Sequence, residues 1–417
     1  MLRGNRPYAA YWTGGLLSNV GTWLQNVTAS VLVFEMTHST FMVGVLNMAT
    51  FAPVFALSIY GGMLSDRFDP RRVIMVNQSI SLAIATAITI LSACGELDSV
   101  LLIVLAGALG SAYALAKPGL TSLLPALVDR KDLAHATAVN NLQFNFGQVA
   151  GSGLSALLLA VSGPTVAFGL NALSFLGPIT AMWVMRDVDL GQRKVKLRGS
   201  GMAGLRYAFA TPAILILLSG VALSDAAVEA IRTLAPDLSH PSSRAGVLIT
   251  AYGIGATAGL IGFGWLSRRL DPVRMLWLAF GGQALGMAGM TLTGNFTVTC
   301  VSAPAVGFGF ALNIPVLTAA LQLTSPDEMR GRISSLFSMV HLGLRPLFAL
   351  LAGGLASFLD ARGTIALFVI FPLVGGYLGR SSGRTITRAD TTSEAEAGPA
   401  TPEAELPIET REVVEPR

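Results

Sequence analysis

The chain is predicted to fold as an all-α integral membrane bundle of twelve transmembrane helices in two pseudo-symmetric six-helix halves. Three observations predict it. Hydrophobic residues make up 52% of the chain and charged ones only 12%, where soluble domains carry about 25% charged residues. The apolar residues gather into twelve segments, roughly 8–34, 39–64, 71–93, 98–125, 133–161, 164–185, 207–231, 243–267, 272–293, 296–323, 331–359 and 361–379. A polar hairpin, Gly62-Met63-Leu64-Ser65-Asp66-Arg67-Phe68-Asp69-Pro70-Arg71-Arg72, returns 202 residues later as Gly264-Trp265-Leu266-Ser267-Arg268-Arg269-Leu270-Asp271-Pro272-Val273-Arg274, with seven of eleven positions identical. A repeat at half the chain length marks two copies of one membrane unit.

Each segment reads as a helix. Most exceed the about 20 residues that cross a hydrocarbon core of about 30 Å, and a lone segment in lipid satisfies its backbone only as a helix. The first is too long for a cleavable signal peptide and is followed at once by the second, so it is expected to stay in the membrane. The second and third flank the repeated hairpin, as do the eighth and ninth. Positions 1–185 are expected to form the N-terminal half and 186–206 a basic linker. Positions 207–380 are expected to form the C-terminal half and 381–417 a disordered tail with eight acids against four arginines.

Basic residues set the orientation. Arg67, Arg71 and Arg72, Arg130 and Lys131, Arg186, Arg193, Lys194, Lys196 and Arg198, Arg268, Arg269 and Arg274, and Arg330 and Arg332 fall in alternate loops, with Arg244 and Arg362 the exceptions. The positive-inside rule then puts both termini in the cytoplasm of a multi-pass cell-membrane protein. The basic balance reflects this topology and contact with the lipid bilayer, not nucleic acid. Cys94 and Cys300 have no metal-ligand spacing and are expected as free thiols. No Walker-type phosphate loop or Ser/His/Asp order appears, so neither an ATP-driven pump nor an enzyme is expected.

The first hairpin resembles that of the major facilitator superfamily, whose motif runs Gly-x-Leu-x-Asp-Arg-x-Gly-Arg-Arg. Gly62, Leu64, Asp66, Arg67, Arg71 and Arg72 match it, while Asp69 and Pro70 depart and should make a tight turn. Leu124–Val128, Asn140–Leu142, Gly163–Phe175, Met329–Leu336 and Gly343–Leu347 resemble the branch holding enterobactin exporters and macrolide efflux proteins. The resemblance covers about 5–380. It implies a secondary active transporter, with the first, fourth, seventh and tenth helices lining a central cavity. It also implies a contact between Asp66 and the start of the eleventh helix, near Arg330 and Arg332, that holds one conformation and breaks in the other. In the second copy Arg268 replaces Asp66, so that latch is expected to be asymmetric.

Ionisable residues inside spans are functional hypotheses by default. Asp225, Glu229 and Arg232 share one face of the seventh span. Two carboxylates one turn apart disfavour joint ionisation, which suits a proton site; a static Glu229–Arg232 pair, or a wet cluster in the outer half of the span, is the alternative. Lys117 in the fourth span either binds an anionic substrate group, pairs across the cavity, or snorkels to the interface. His341 and Arg345 stand one turn apart in the eleventh span, and His341 is read as a hydrogen-bonded packing residue or a titrating group. Candidate cavity residues on the implied lining helices are Asn19, Trp23, Asn26, Tyr113 and Asn313, whereas Asn141, Asn145 and Gln148 read as interhelical glue. Gly147, Gly151 and Gly153 keep a small-residue spacing, with Ser152 where antiporters of the superfamily carry Pro.

The function these readings favour is proton-coupled export of a small amphiphilic metabolite, siderophore or antibiotic. The expected working form is a monomer, with no cofactor and the proton gradient as energy source. A lipid or lysolipid transporter of the same fold is the first rival, and a non-transporting membrane scaffold or sensor the second.

Overall fold

The computed structural model describes residues 5–129, 132–188 and 201–380, with a few side chains inside these ranges, Asp66 among them, excepted. The predicted tail, most of the linker and the Arg130–Lys131 loop lie outside the described residues. The helices are α1 Arg6–Thr37, α2 Thr40–Arg67, α3 Pro70–Cys94, α4 Ser99–Leu127, α5 Leu133–Val161, α6 Pro164–Ser174 and α7 Leu176–Val184. They continue as α8 Gly201–Ala210, α9 Pro212–Leu238, α10 Ala245–Leu266, α11 Pro272–Thr291, α12 Phe296–Thr324, α13 Asp327–Gly343 and α14 Arg345–Phe368. The chain is helical again over 370–380.

Short breaks reconcile the fourteen helices with the twelve passes expected from the sequence. α6 runs into α7 at Phe175, α8 into α9 at Thr211, and α13 into α14 at Leu344, while the left-handed Asp360 (φ 61°) splits α14 into two passes. Among the described residues nine segments are long and apolar enough to cross a membrane, the last, Arg332–Arg380, covering two passes.

The repeated hairpin has a local explanation. Asp69 caps α3 by accepting the Arg71 backbone N–H at 2.9 Å, and Asp271 caps α11 by accepting that of Arg274 at 2.9 Å. Pro70 and Pro272 then take the first helical position, where no N–H is needed. Asp-Pro is thus a helix start placed immediately after the turn. Arg71 does a second job: its Nη1 donates to the carbonyls of Met185, Arg186 and Val188 at 2.6–2.8 Å, tying the end of the sixth pass to the start of the third.

Within the first half α1 packs on α5, α2 on α4 and α3 on α6; within the second, α11 and α10 pack on α12 and α14 on α9. The halves meet along α2–α14 and α5–α10. Let the basic end be the one carrying Arg67, Arg186 and Arg268, and the far end the other. The contacts that join the halves sit toward the far end. Thr40 donates to the Gly353 carbonyl at 3.2 Å, Asn47 to Thr233 Oγ1 at 3.2 Å, and Ser242 to Glu35 at 2.5 Å. Gly246 lies against the Ser152 carbonyl, and Gly353 against that of Thr40, so closely that a Cβ at either would clash. Toward the basic end the seam opens. Leu142 and Phe146 of α5 lie on the face that α10 covers two turns later at Val149 and Gly153, yet they are 43% and 59% exposed. The protein therefore stands shut at the far end and open at the basic end.

Candidate functional site

The most buried span is α9, and its polar face carries the site. Asp225 and Glu229 are 0% and 1% exposed, so the wet-cluster alternative fails. They do not act as a pair sharing one environment. Asp225 Oδ2 is 3.0 Å from His341 Nδ1, and the imidazole stacks against Phe337 and Phe310, with ring centroids 5.5 and 6.3 Å away. Glu229 Oε2 lies 3.7 Å from Arg232 Nη1 and 3.5 Å from Arg345 Nε. Each carboxylate thus has its own cationic or protonatable partner.

His341 and Arg345 reach α9 because the helix breaks between them. α13 ends at Gly343, and Pro346 opens the next helix. The sequence placed both on one span but gave no partner for either; the signal available was the Gly-Leu-Arg-Pro interruption in an otherwise apolar run.

Arg232 joins the charge cluster to the seam between the halves. Its guanidinium lies 4.9 Å from the Trp23 ring of α1 and 5.6 Å from the Tyr252 ring of α10. Trp23 also meets Phe144 edge-on at 6.0 Å. Trp23, Asn26, Ser30 and Asn47 from the first half, with Glu229 and Arg232 from the second, line a cavity of about 30 Å³. That is room for roughly two waters.

The remaining predicted residues fall elsewhere. Asn313 is fully buried and donates to Gln283 Oε1 at 3.2 Å and Ser224 Oγ at 3.3 Å, in a polar knot inside the second half. Asn19 contacts Gln143 at 3.5 Å, and Gly147 and Gly151 press α5 against α1 as close packing. Lys117 Nζ stands 5.4 Å from the Tyr113 ring. The Asp66 side chain, the predicted partner of Arg330 and Arg332, lies outside the described residues. Arg330 Nε donates to the Gln322 carbonyl at 3.1 Å and Arg332 contacts Met329 Sδ at 3.2 Å. Arg67 lies over the Phe68 ring at 5.9 Å. Of the other motif positions, Gly62 has open space where a Cβ would stand and Leu64 is 37% exposed.

A family model described as "Transmembrane secretion effector" matches residues 4–411. The chain belongs to that family, within the major facilitator superfamily. It is similar to the enterobactin exporter EntS of Escherichia coli O6:K15:H31 (strain 536 / UPEC), 28% identical over 366 residues that cover 86% of this chain and 87% of the relative. The EntS of Shigella boydii serotype 4 (strain Sb227) matches with the same figures. Three solved structures share the fold. The nucleoside transporter NupG superposes with a TM-score of 0.72 at 12% identity, covering 90% of this chain and 98% of its own. The peptide transporter POT in complex with sulfate gives 0.73 at 14%, covering 92% and 96%. A bacterial homolog of the human lysosomal transporter Spinster, inward-facing and unoccupied, gives 0.68 at 15%, covering 92% and 98%. The chain is a membrane transporter of the major facilitator type and not an enzyme.

Proposed function

We propose that the protein is a proton-coupled exporter of a small amphiphile, such as a siderophore or antibiotic, acting as a monomer in the cell (inner) membrane with its basic end and both termini in the cytoplasm. The positive-inside rule supports the orientation, and the similarity to enterobactin exporters supports the direction and substrate class.

The observation that carries the proton reading is the buried Asp225–His341 pair. With His341 neutral, the two carboxylates balance Arg232 and Arg345. One added proton gives the cluster a net positive charge in a medium that penalises it. Asp225 is sealed, whereas the His341 side chain is 21% exposed, so His341 is the route by which a proton reaches or leaves Asp225. Glu229 lies between two guanidiniums and serves as their counter-ion. In this cycle the proton enters from the far side, is carried through as the halves rock, and leaves to the cytoplasmic cleft as substrate binds there.

The test is efflux of amphiphilic dyes and siderophores from overexpressing cells, with and without a protonophore, beside Asp225→Asn and His341→Gln at matched expression. Protonophore-sensitive efflux that either substitution abolishes is the expected result. Efflux unchanged in both variants would remove the pair from the mechanism.

A further inference from the structure

We infer that Lys117 and Tyr113 of α4 form the subsite for an acidic group on the transported molecule, so that the substrate is an anionic amphiphile with a flat ring or chain beside its charge. This deepens the export reading and rests on it.

The inference starts from the cost of the lysine. α4 is a strongly apolar span, and a charge at that depth persists only where a function or a partner keeps it there. Among the described residues Lys117 has no carboxylate within ion-pair distance; its one recorded partner is the Tyr113 ring at 5.4 Å. The charges of the α9 cluster already balance one another and do not call for it.

Snorkelling does not describe what the side chain does. α4 runs from Asp98 at the far end to Leu127 at the basic end. A snorkelling lysine would extend toward Leu127 and the interface. Lys117 instead reaches back one turn, over a ring that lies deeper in the membrane.

The face differs from the one most exposed to lipid. Val100 and Val104 are 63% and 60% exposed and mark the side of α4 turned to lipid. At 3.6 residues per turn, Tyr113, Lys117 and Thr121 stand about a third of a turn away from them. Tyr113 on that face is 42% exposed, and we take it to border the cleft that opens toward the basic end. An ammonium and an aromatic plane one turn apart, both facing a cleft open to the basic end, suit a carboxylate, phenolate or phosphate joined to an apolar body.

The experiment uses the full-length protein in nanodiscs of zwitterionic lipid and three probes with one ring: pyrenebutyrate, pyrenebutanol and pyrenebutyl-trimethylammonium. Binding is read by fluorescence anisotropy against empty discs. The wild type is expected to favour the anion over the alcohol by about tenfold or more, as one charge-assisted contact gives. Lys117→Ala is expected to lose that preference, Lys117→Arg to keep it, and Tyr113→Leu to weaken anion and alcohol alike. A wild type that binds the anion no better than the alcohol overturns the inference, and so does a preference unchanged in Lys117→Ala when Lys117→Arg is equally folded. Adding phosphatidylglycerol to the discs separates the two sources of acid: Lys117-dependent competition keeps the subsite and assigns it to lipid, and none assigns it to a soluble metabolite. Efflux assays report on the transport reading separately, since a protein that binds the anion through Lys117 but exports nothing would fail that reading alone.

Discussion

Replacing Glu229 by glutamine tests whether the cluster is an electrostatic unit. Glu229 is 1% exposed and receives Arg232 at 3.7 Å and Arg345 at 3.5 Å. The amide keeps the volume but removes the charge, leaving two guanidiniums in the span with only Asp225, already engaged by His341, to balance them. At an effective dielectric of about 20, each lost attraction is on the order of 4 kcal/mol, and breaking a buried pair by removing one partner costs about 3–5 kcal/mol in practice. The assay is unfolding of the purified protein in mixed micelles by dodecyl sulfate titration, followed by tryptophan fluorescence. Glu229→Gln is expected to lose about 3–5 kcal/mol. Glu229→Gln combined with Arg345→Met restores the charge balance and is expected to regain most of that. The non-additivity is the diagnostic result, because residues in one network do not sum. A Glu229→Gln protein as stable as the wild type, or a double variant weaker than either single one, would refute the electrostatic account.

Two further outcomes follow from the packing. Gly246→Val puts a branched side chain against the Ser152 carbonyl at the far-end seam, so the shut far end should give way; a spin-label distance between Glu35→Cys and Ser242→Cys should lengthen, and transport should fall while expression holds. Asp69→Ala and Asp271→Ala each remove a helix cap and should each cost about 1 kcal/mol by the same unfolding assay, with Asp69→Ala the larger because the ion pair it loses to Arg71 is more buried than the exposed Asp271–Arg274 pair.

Much of the fold was legible because a membrane leaves few choices. Twelve apolar runs, one repeated hairpin and an alternating distribution of arginines suffice for twelve passes in two halves. The site was half legible. Asp225, Glu229 and Arg232 stand out because charges are rare in apolar helices and four- and three-residue spacings put them on one face. Their partners were hidden, since His341 and Arg345 lie about 115 residues further on and meet α9 only through tertiary packing. Asn313 shows what spacing alone leaves open. The rotation of a helix with polar residues on several sides is set by neighbours such as Gln283 and Ser224, which no periodicity reveals.

The proposed proton site and the far-end seam are linked by Arg232. It is bound to Glu229 on one side and packed over Trp23, a residue of the opposite half, on the other. Opening the far end must draw Trp23 away from the guanidinium, which removes a cation–π contact and admits water beside Glu229. The attraction of Glu229 for both arginines then weakens as the local dielectric rises. Arg345, four residues beyond His341, becomes less firmly held, so the contacts that link the far-end seam to the Asp225–His341 pair loosen as the site is wetted. In the proposed cycle the proton is therefore accepted when the far end opens and released when Trp23 closes back onto Arg232. This makes the tryptophan, not either carboxylate, the residue through which the first half senses the charge state of the second. Trp23→Leu should accordingly uncouple transport from the proton gradient while leaving the Asp225–His341 contact in place.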